Sequence, residues 1–351
     1  MDKLKKLRDR IDWLDTQIAS LLNERMRAAD QIGKIKRDIQ QDVADQSREI
    51  RVLNQVKTII QHPVLKENIP NIYNEIMQIS RTGQQFFQHI SQPFRRIGII
   101  GMGLIGGSIC KGIKTKDSSV EIGTLFHESE DVSLAKTEGW VDQVYSKIGE
   151  LVHNSELIIL ASPVSTITQL AEEIKPHTHS LEKITIIDVA SVKGDIIETF
   201  EKLTCKNVEY ISTHPMAGKE KGGFKNSQAT LFVNRPWVIV THKENSNSGI
   251  ESIKEFILYL GSNPILSEAK VHDQQAALIS HLPSILSKLY YDFVKSIDAE
   301  SMIISGPGFQ SFTRLAHENN ELRKDVNKYN QKAIHNYLNQ WLEFLKENKG
   351  L

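Results

Sequence analysis

The stretch RIGIIGMGLIGGS, residues 96–108, decides the fold. It opens on an apolar run of strand character and breaks into the turn Gly101-Met102-Gly103-Leu104-Ile105-Gly106-Gly107-Ser108, from which a helical pattern continues. In that arrangement the first glycine permits a tight turn and the second lets a pyrophosphate approach the backbone. The third lets helix and strand pack closely. The start of the helix, with its unpaired N–H groups and dipole, favours an anion. Such a triplet is weak evidence alone; the strand before it and the helix after it give it weight. Gly101, Gly103, Leu104, Ile105 and Gly106 are therefore expected to hold a dinucleotide.

Working outward, ELIILASP (156–163) and KITIIDVAS (183–191) are further short apolar runs that end in small or polar residues. Helical segments separate them, which is the alternation of a mostly parallel, doubly wound sheet. VEYIST (208–213) and RPWVIVTH (235–242) read as additional strands, and from about Lys270 the pattern is helical, with Pro283 and SGPG (305–308) as breaks. The second strand, about 120–126, should end in an acid for the ribose hydroxyls. In GTLFHESE (123–130), Phe126 or His127 falls there, and Glu128 follows. NAD is the expected cofactor, with NADP as the alternative.

Before SQPFRR (91–96) the pattern is helical only. Leu4, Leu7, Ile11, Leu14, Ile18, Leu21, Ala28, Ile32, Ile35 and Ile39 keep an alternating three–four spacing over five heptads. A second helix is expected to start after Asp45 or Ser47 and to stop before Pro63, and a third to run from about Ile69 to His89. The chain thus divides into three parts: an all-α domain at 1–92, an α/β domain of Rossmann type at 93–268, and an all-α domain at 269–351.

The chain has 351 residues, 40% hydrophobic and 25% charged, enough for more than one packed core. Lys+Arg and Asp+Glu both number 43, so it is no polycation built for nucleic acid. Two cysteines argue against a disulfide framework or zinc knuckle and fit a reducing compartment. No apolar run is long enough to span a bilayer, and the N-terminus has no apolar signal core. A cytoplasmic protein without membrane or nucleic-acid partners is expected.

Strand ends on the ligand side of a doubly wound sheet offer Ser162, Ser191 and His214; beyond them lie His281 and Arg314. A histidine seen alone is usually a structural one. A metal is not expected at His214, because no Cys, Asp or second His lies near it at ligand spacing. At a strand end in a dinucleotide-binding chain, it is better placed to handle the proton of a substrate hydroxyl.

These segments together resemble the prephenate dehydrogenase family. GMGLIGGS (101–108), DVASVKG (188–194), STHPMAG (212–218), HLP (281–283) and GFQSFTRLA (308–316) follow that family's order over residues 95–325. The resemblance implies that His214 and Ser191 bond the ring hydroxyl of prephenate, that Arg314 binds a carboxylate and that His281 lines the pocket. It also implies an all-α C-terminal dimerisation domain. Ser284 and Arg323 stand where the family usually has histidine and tryptophan.

In the helical part, the heptad register places Arg25 at an interior position, where an unpaired charge is costly and should meet an anion. Lys36 lies about 16 Å along the same face, while Arg8 lies about 25 Å from Arg25 and could share a small ligand only from a second, antiparallel chain. Ser80 and Gln84, four apart, share one helix face. LKKLRDRIDWLD (4–15), LLNERMRAADQIGKIK (21–36) and DQSRE (45–49) resemble the all-helical chorismate mutase family. That resemblance implies that Arg25, Lys36 and Arg48 hold the carboxylates and ether oxygen of chorismate, with Arg8 supplied by the partner of a homodimer. Gln84 would share the ether oxygen, and Asp45, Glu49 and Ser80 would contact the hydroxyl or a carboxylate. The product of the first activity is the substrate of the second, so the whole chain resembles the bifunctional enzymes of tyrosine biosynthesis. A β-hydroxy-acid dehydrogenase with an inert helical arm is the rival reading. A nucleic-acid or protein-binding hairpin is the other, weakened by interleaved acids and the lack of an aromatic platform.

Overall fold

Helical periodicity without β-branched runs builds the first part of the chain, and buried apolar runs between glycine turns build the rest. The computed structural model describes residues 2–39, 41–87, 90–127, 129–178, 183–203, 207–219, 221–317 and 320–348, and its contacts separate into two units, Met1–Ser91 and Gln92–Leu351.

The first unit holds α1 (Asp2–Asp38), α2 (Gln46–Ile59) and α3 (Pro63–Phe86). Asp45 caps α2, its carboxylate accepting the Arg48 N–H at 2.9 Å. The third helix starts at Pro63 rather than near Ile69. A proline costs nothing in the first turn, and Pro70 gives up one internal bond without ending the helix. α1 packs on α3 through its smallest side chains: Ala29 and Gly33 are buried, and a Cβ on Gly33 would meet Gln84 Cγ at 2.8 Å.

The apolar stripe expected as an interior seam is not covered within the chain. Leu4, Leu7, Ile11, Ile18, Leu21, Ile32, Ile35 and Ile39 are each between 48% and 63% exposed. Arg25 is half-buried for a different reason: it faces α3, where its guanidinium donates to the Ser80 hydroxyl.

The second unit is built on one eight-stranded sheet of order β3-β2-β1-β4-β5-β6-β7-β8. Its strands are β1 (Arg96–Ile100), β2 (Glu121–Leu125), β3 (Gln143–Tyr145), β4 (Leu157–Leu160), β5 (Ile184–Asp188), β6 (Val208–Pro215), β7 (Pro236–Val240) and β8 (Asn263–Ser267). All neighbours pair in parallel except β6 and β7, which are antiparallel with His214 opposite Val238. The short β3 and the exposed edge strand β8 carry too little apolar pattern to be read from the sequence. The helices α4 (Leu104–Lys116), α5 (Glu130–Thr137), α6 (Ile148–His153), α7 (Val164–Ile174), α8 (Gly194–Leu203) and α9 (Asn247–Tyr259) connect the strands. The strand order reverses between β1 and β4, which opens a crevice at their carboxyl ends.

The remaining helices are α10 (Ala269–Ala276), α11 (Leu282–Ile297), α12 (Pro307–Phe312), α13 (Asn320–Tyr329) and α14 (Gln331–Glu347). Pro283 does not break the chain as expected. A π-helical turn, Ala277–His281, joins α10 to α11 and leaves the proline in a first turn, where its missing N–H is harmless.

Candidate active site

The glycine turn has the geometry of a close-packed cradle. Gly101 has a φ of +102°, and a Cβ there would stand 2.4 Å from the Ala161 carbonyl oxygen. A Cβ on Gly106 would fall 2.0 Å from the Gly101 oxygen, so the crossing of β1 and α4 admits no side chain. Gly103, which caps α4, would meet nothing within 4 Å: the backbone there faces open space. Leu104 and Ile105 begin α4, and the Ser162 hydroxyl donates to the Ile100 carbonyl at 3.4 Å across the switch point. Beyond β2, a groove is lined by Phe126, His127, Ser129, Glu130 and Ser133. Glu128 lies outside the described residues.

At the carboxyl ends of β5 and β6 the chain builds a buried polar network. Asp188 and Lys193 are fully buried and paired, Nζ to Oδ1 at 2.5 Å. Tyr210 and Ser212 donate to the other carboxylate oxygen, and Lys193 also bonds the Thr213 carbonyl. Every oxygen of the pair is satisfied, as burial requires. The network ties the loop bearing Ser191 to the strand bearing His214. The Ser191 hydroxyl and His281 Nε2 are both buried and have no hydrogen-bond partner, the condition of groups awaiting a ligand.

His214 Nδ1 lies 2.9 Å from His272 Nε2, and His272 Nδ1 lies 2.9 Å from Asp273 Oδ1. Sequence spacing hid this: a second histidine adjoins His214 from 58 residues away, and an aspartate adjoins that histidine. The Asp273 oxygens also accept the Lys193 and Gly194 N–H groups at 2.9 Å, and among the described residues no cluster of metal ligands forms. Burial holds His214 well below the ordinary histidine range, with repulsion from Lys193, His272 and His281 adding to it.

His281, on the π turn, accepts from the Asn330 amide through Nδ1 at 3.2 Å. Burial lowers its pKa to about 4, with His272 lowering it further and Asp273 opposing. The neutral ring is thus favoured in the fold. Its contribution to stability is complete above the ordinary value of 6.5 and is lost as pH falls towards 4. Urea midpoints at pH 7 and 4.5 should differ by on the order of 2 kcal/mol from this group, and His281→Gln should flatten that dependence.

Arg314 sits exposed on the short turn Arg314–His317. Arg323 holds that turn by donating to the Leu315 carbonyl at 2.9 Å. Sequence reading had noted Arg323 only as a departure.

In the helical unit, Arg25 reaches the buried Ser80, whose hydroxyl also bonds the Ile76 carbonyl at 2.8 Å. Gln84 Oε1 is buried without a partner. Lys36 lies half-buried, its ammonium on the Asp42 and Val43 carbonyls at 3.0 and 2.8 Å. Arg25 and Lys36 come from α1, and Ser80 and Gln84 from α3. Glu49 pairs with Arg81, a residue the sequence did not single out. Arg48 and Arg8 are exposed.

Family models match the chain in three consecutive pieces. Chorismate mutase type II matches residues 7–85, the nucleotide-binding domain of prephenate dehydrogenase matches 109–266, and its dimerization domain matches 268–350. The prephenate dehydrogenase from Lactococcus lactis is 32% identical over 228 residues, 63% of this chain; the chain spans 61% of that relative's length. A cyclohexadienyl dehydrogenase from Zymomonas mobilis is 29% identical over 72% of this chain and 87% of its own. Among solved structures, a Synechocystis arogenate dehydrogenase is 26% identical with a TM-score of 0.61, covering 72% of this chain and 90% of that one. A prephenate dehydrogenase from A. aeolicus, solved with hydroxyphenyl propionate and NAD+, shares the fold with a TM-score of 0.68 at 23% identity, covering 75% and 92%. Among the described residues no helix is long and apolar enough to cross a membrane. With two matched domains spanning more than half of its length, the chain belongs to the prephenate dehydrogenase family and carries a type II chorismate mutase domain before them.

Proposed function

We propose that the helical unit rearranges chorismate to prephenate and that the second unit oxidatively decarboxylates prephenate to 4-hydroxyphenylpyruvate with NAD. One observation carries the dehydrogenase reading. His214, Ser191 and the glycine turn stand at the carboxyl end of one sheet, with unspent polar atoms at Ser191 and His281. The turn itself fits a pyrophosphate, since the space over Gly103 is open while Gly101 and Gly106 are crowded by backbone. When bound, a nicotinamide accepts the hydride from the hydroxyl-bearing ring carbon. As that carbon becomes a carbonyl, His214 takes the hydroxyl proton, and loss of the ring carboxylate as carbon dioxide aromatises the ring. The phenolate then recovers the proton from His214, so no net proton is consumed. Arg314 suits a substrate carboxylate because its fork bonds bidentately. The groove beyond β2 is lined by Glu130 and, among its described residues, no Lys or Arg, which favours NAD over NADP.

For the mutase, a pericyclic rearrangement needs no nucleophile or cofactor. It needs positive charge beside the breaking ether bond and a compact substrate conformation. Arg25, Lys36 and Arg48 supply the charge, and Gln84 offers an unpaired amide oxygen. Asp45, Glu49 and Ser80 complete the wall. The exposed apolar stripe of α1 suits a homodimer in which Arg8 arrives from the other copy.

Supplying chorismate with NAD or NADP, and following reduced cofactor and 4-hydroxyphenylpyruvate, tests both halves and the cofactor at once. If prephenate is never consumed, the dehydrogenase assignment is wrong. A sharper check concerns the cradle. Gly103→Ala should leave the melting temperature unchanged, because its methyl meets only open space, yet should weaken NAD binding by about tenfold or more. Gly106→Ala should instead destabilise the fold by about 2 kcal/mol through a backbone clash.

A further inference from the structure

We infer that His272, held by Asp273, is a positioning residue that fixes which nitrogen of His214 carries the proton. The inference rests on the reading of His214 as the group that takes the hydroxyl proton. Asp273 is surrounded by donors. Its Oδ1 takes the Lys193 N–H at 2.9 Å and faces His272 Nδ1 at 2.9 Å, while Oδ2 takes the Gly194 N–H at 2.9 Å. Both Asp273 oxygens already accept backbone N–H groups, and as the acceptor towards His272 the carboxylate takes a proton carried on His272 Nδ1. The other nitrogen of a neutral His272, Nε2, is then an acceptor. Its partner at 2.9 Å is His214 Nδ1, which must be the donor. The lone pair of His214 is therefore on Nε2, the nitrogen not spent on His272.

The reverse arrangement would require His272 to be cationic. Two cations, Lys193 and that His272, would then act on His214, with Asp273 the one anion close to both. From the loop after β5, Lys193 pairs with Asp188 and also feels Asp273. From the π turn, His281 is buried against Asn330, and from α10 only Asp273 is anionic. His272 is 3% exposed and both its ring nitrogens are occupied, so it touches no substrate itself. When His214 takes its proton, the bond to His272 strengthens and the Asp273 carboxylate lies behind it to stabilise the cation.

The test uses the full chain with prephenate and NAD, and follows NADH. His272→Phe, which keeps ring shape and removes the acceptor, should lower kcat by about 10²-fold, with KM for both substrates within about threefold. It should also displace the acid limb of the kcat/KM profile. His272→Gln, whose amide oxygen can still accept from Nδ1–H, should recover about tenfold of the loss. Unchanged kcat and pH profile in His272→Phe would overturn the inference. The thermal melt and near-ultraviolet circular dichroism of the same samples report whether the second unit of each variant has folded. Independently of any variant, the ¹⁵N resonances of His214 in the wild-type chain should show Nδ1 protonated; an Nε2-protonated ring would equally overturn it. If the wild-type chain makes no NADH from prephenate, the function proposed above fails, while the tautomer is still read from the spectrum.

Discussion

Replacing Arg25 with alanine is expected to abolish the rearrangement of chorismate and to spare the oxidation of prephenate. Arg25 is half-buried on the face of α1 towards α3, where it reaches Ser80, and one turn along α3 the Gln84 amide oxygen is buried without a partner. A guanidinium in such a site acts where negative charge gathers on the departing ether oxygen and the carboxylates, with little reorganisation needed. Losing it should cost at least about 10²-fold in turnover, the scale seen when one preorganised donor is removed. The fold should survive, because Ser80 keeps its bond to the Ile76 carbonyl and the buried Ala29 and Gly33 still seat α3. Separate assays, one for chorismate disappearance and one for NADH from added prephenate, decide the matter. The assignment is refuted if Arg25→Ala leaves both rates intact. Arg25→Lys should rescue only part, since a point charge cannot bond in two directions.

His214→Asn should have the opposite signature. Prephenate oxidation should fall by about 10²- to 10⁴-fold, the usual contribution of a general acid–base group. Mutase activity and NAD affinity should hold, because asparagine can still bond His272 and the Asp188–Lys193 pair that shapes the strand end is untouched. The wild-type pH profile should carry the same assignment. Burial, with Lys193, His272 and His281 behind it, holds His214 well below its ordinary value, so the ring is neutral and ready to accept at pH 7. Activity should therefore persist as pH falls through 6.5 and drop only at lower pH, when the ring protonates. Unchanged turnover in His214→Asn would remove it from the mechanism.

Particular residues show how far the sequence could be read. The glycine turn was legible because each glycine answers a local demand, a positive φ at Gly101 and a backbone crossing at Gly106. His214 was legible as a strand-end residue after a run of β character. His272 and Asp273 were not, because VHDQQ (271–275) is only an ordinary helical stretch until α10 is laid beside the carboxyl ends of β5 and β6. Metal binding at His214 was set aside on sequence spacing, and that premise did not hold in space. In the fold Asp273 accepts two backbone N–H groups and faces His272. The heptads of α1 read correctly as a helix, and within one chain its apolar face is uncovered, since periodicity says which residues share a face and not what lies against it.

By itself the sequence determined the division into helical and α/β parts, the placing of the dinucleotide turn and the glycines that shape it. All of these depend on chemistry within a few residues of one another. Only the tertiary structure decided the contact of His214 with His272, the anchoring of Arg314's turn by Arg323, and the pairing of Arg25 with Ser80 across 55 residues. Those contacts depend on chain topology, which brings distant segments within a hydrogen bond's reach and leaves no periodic trace in either one.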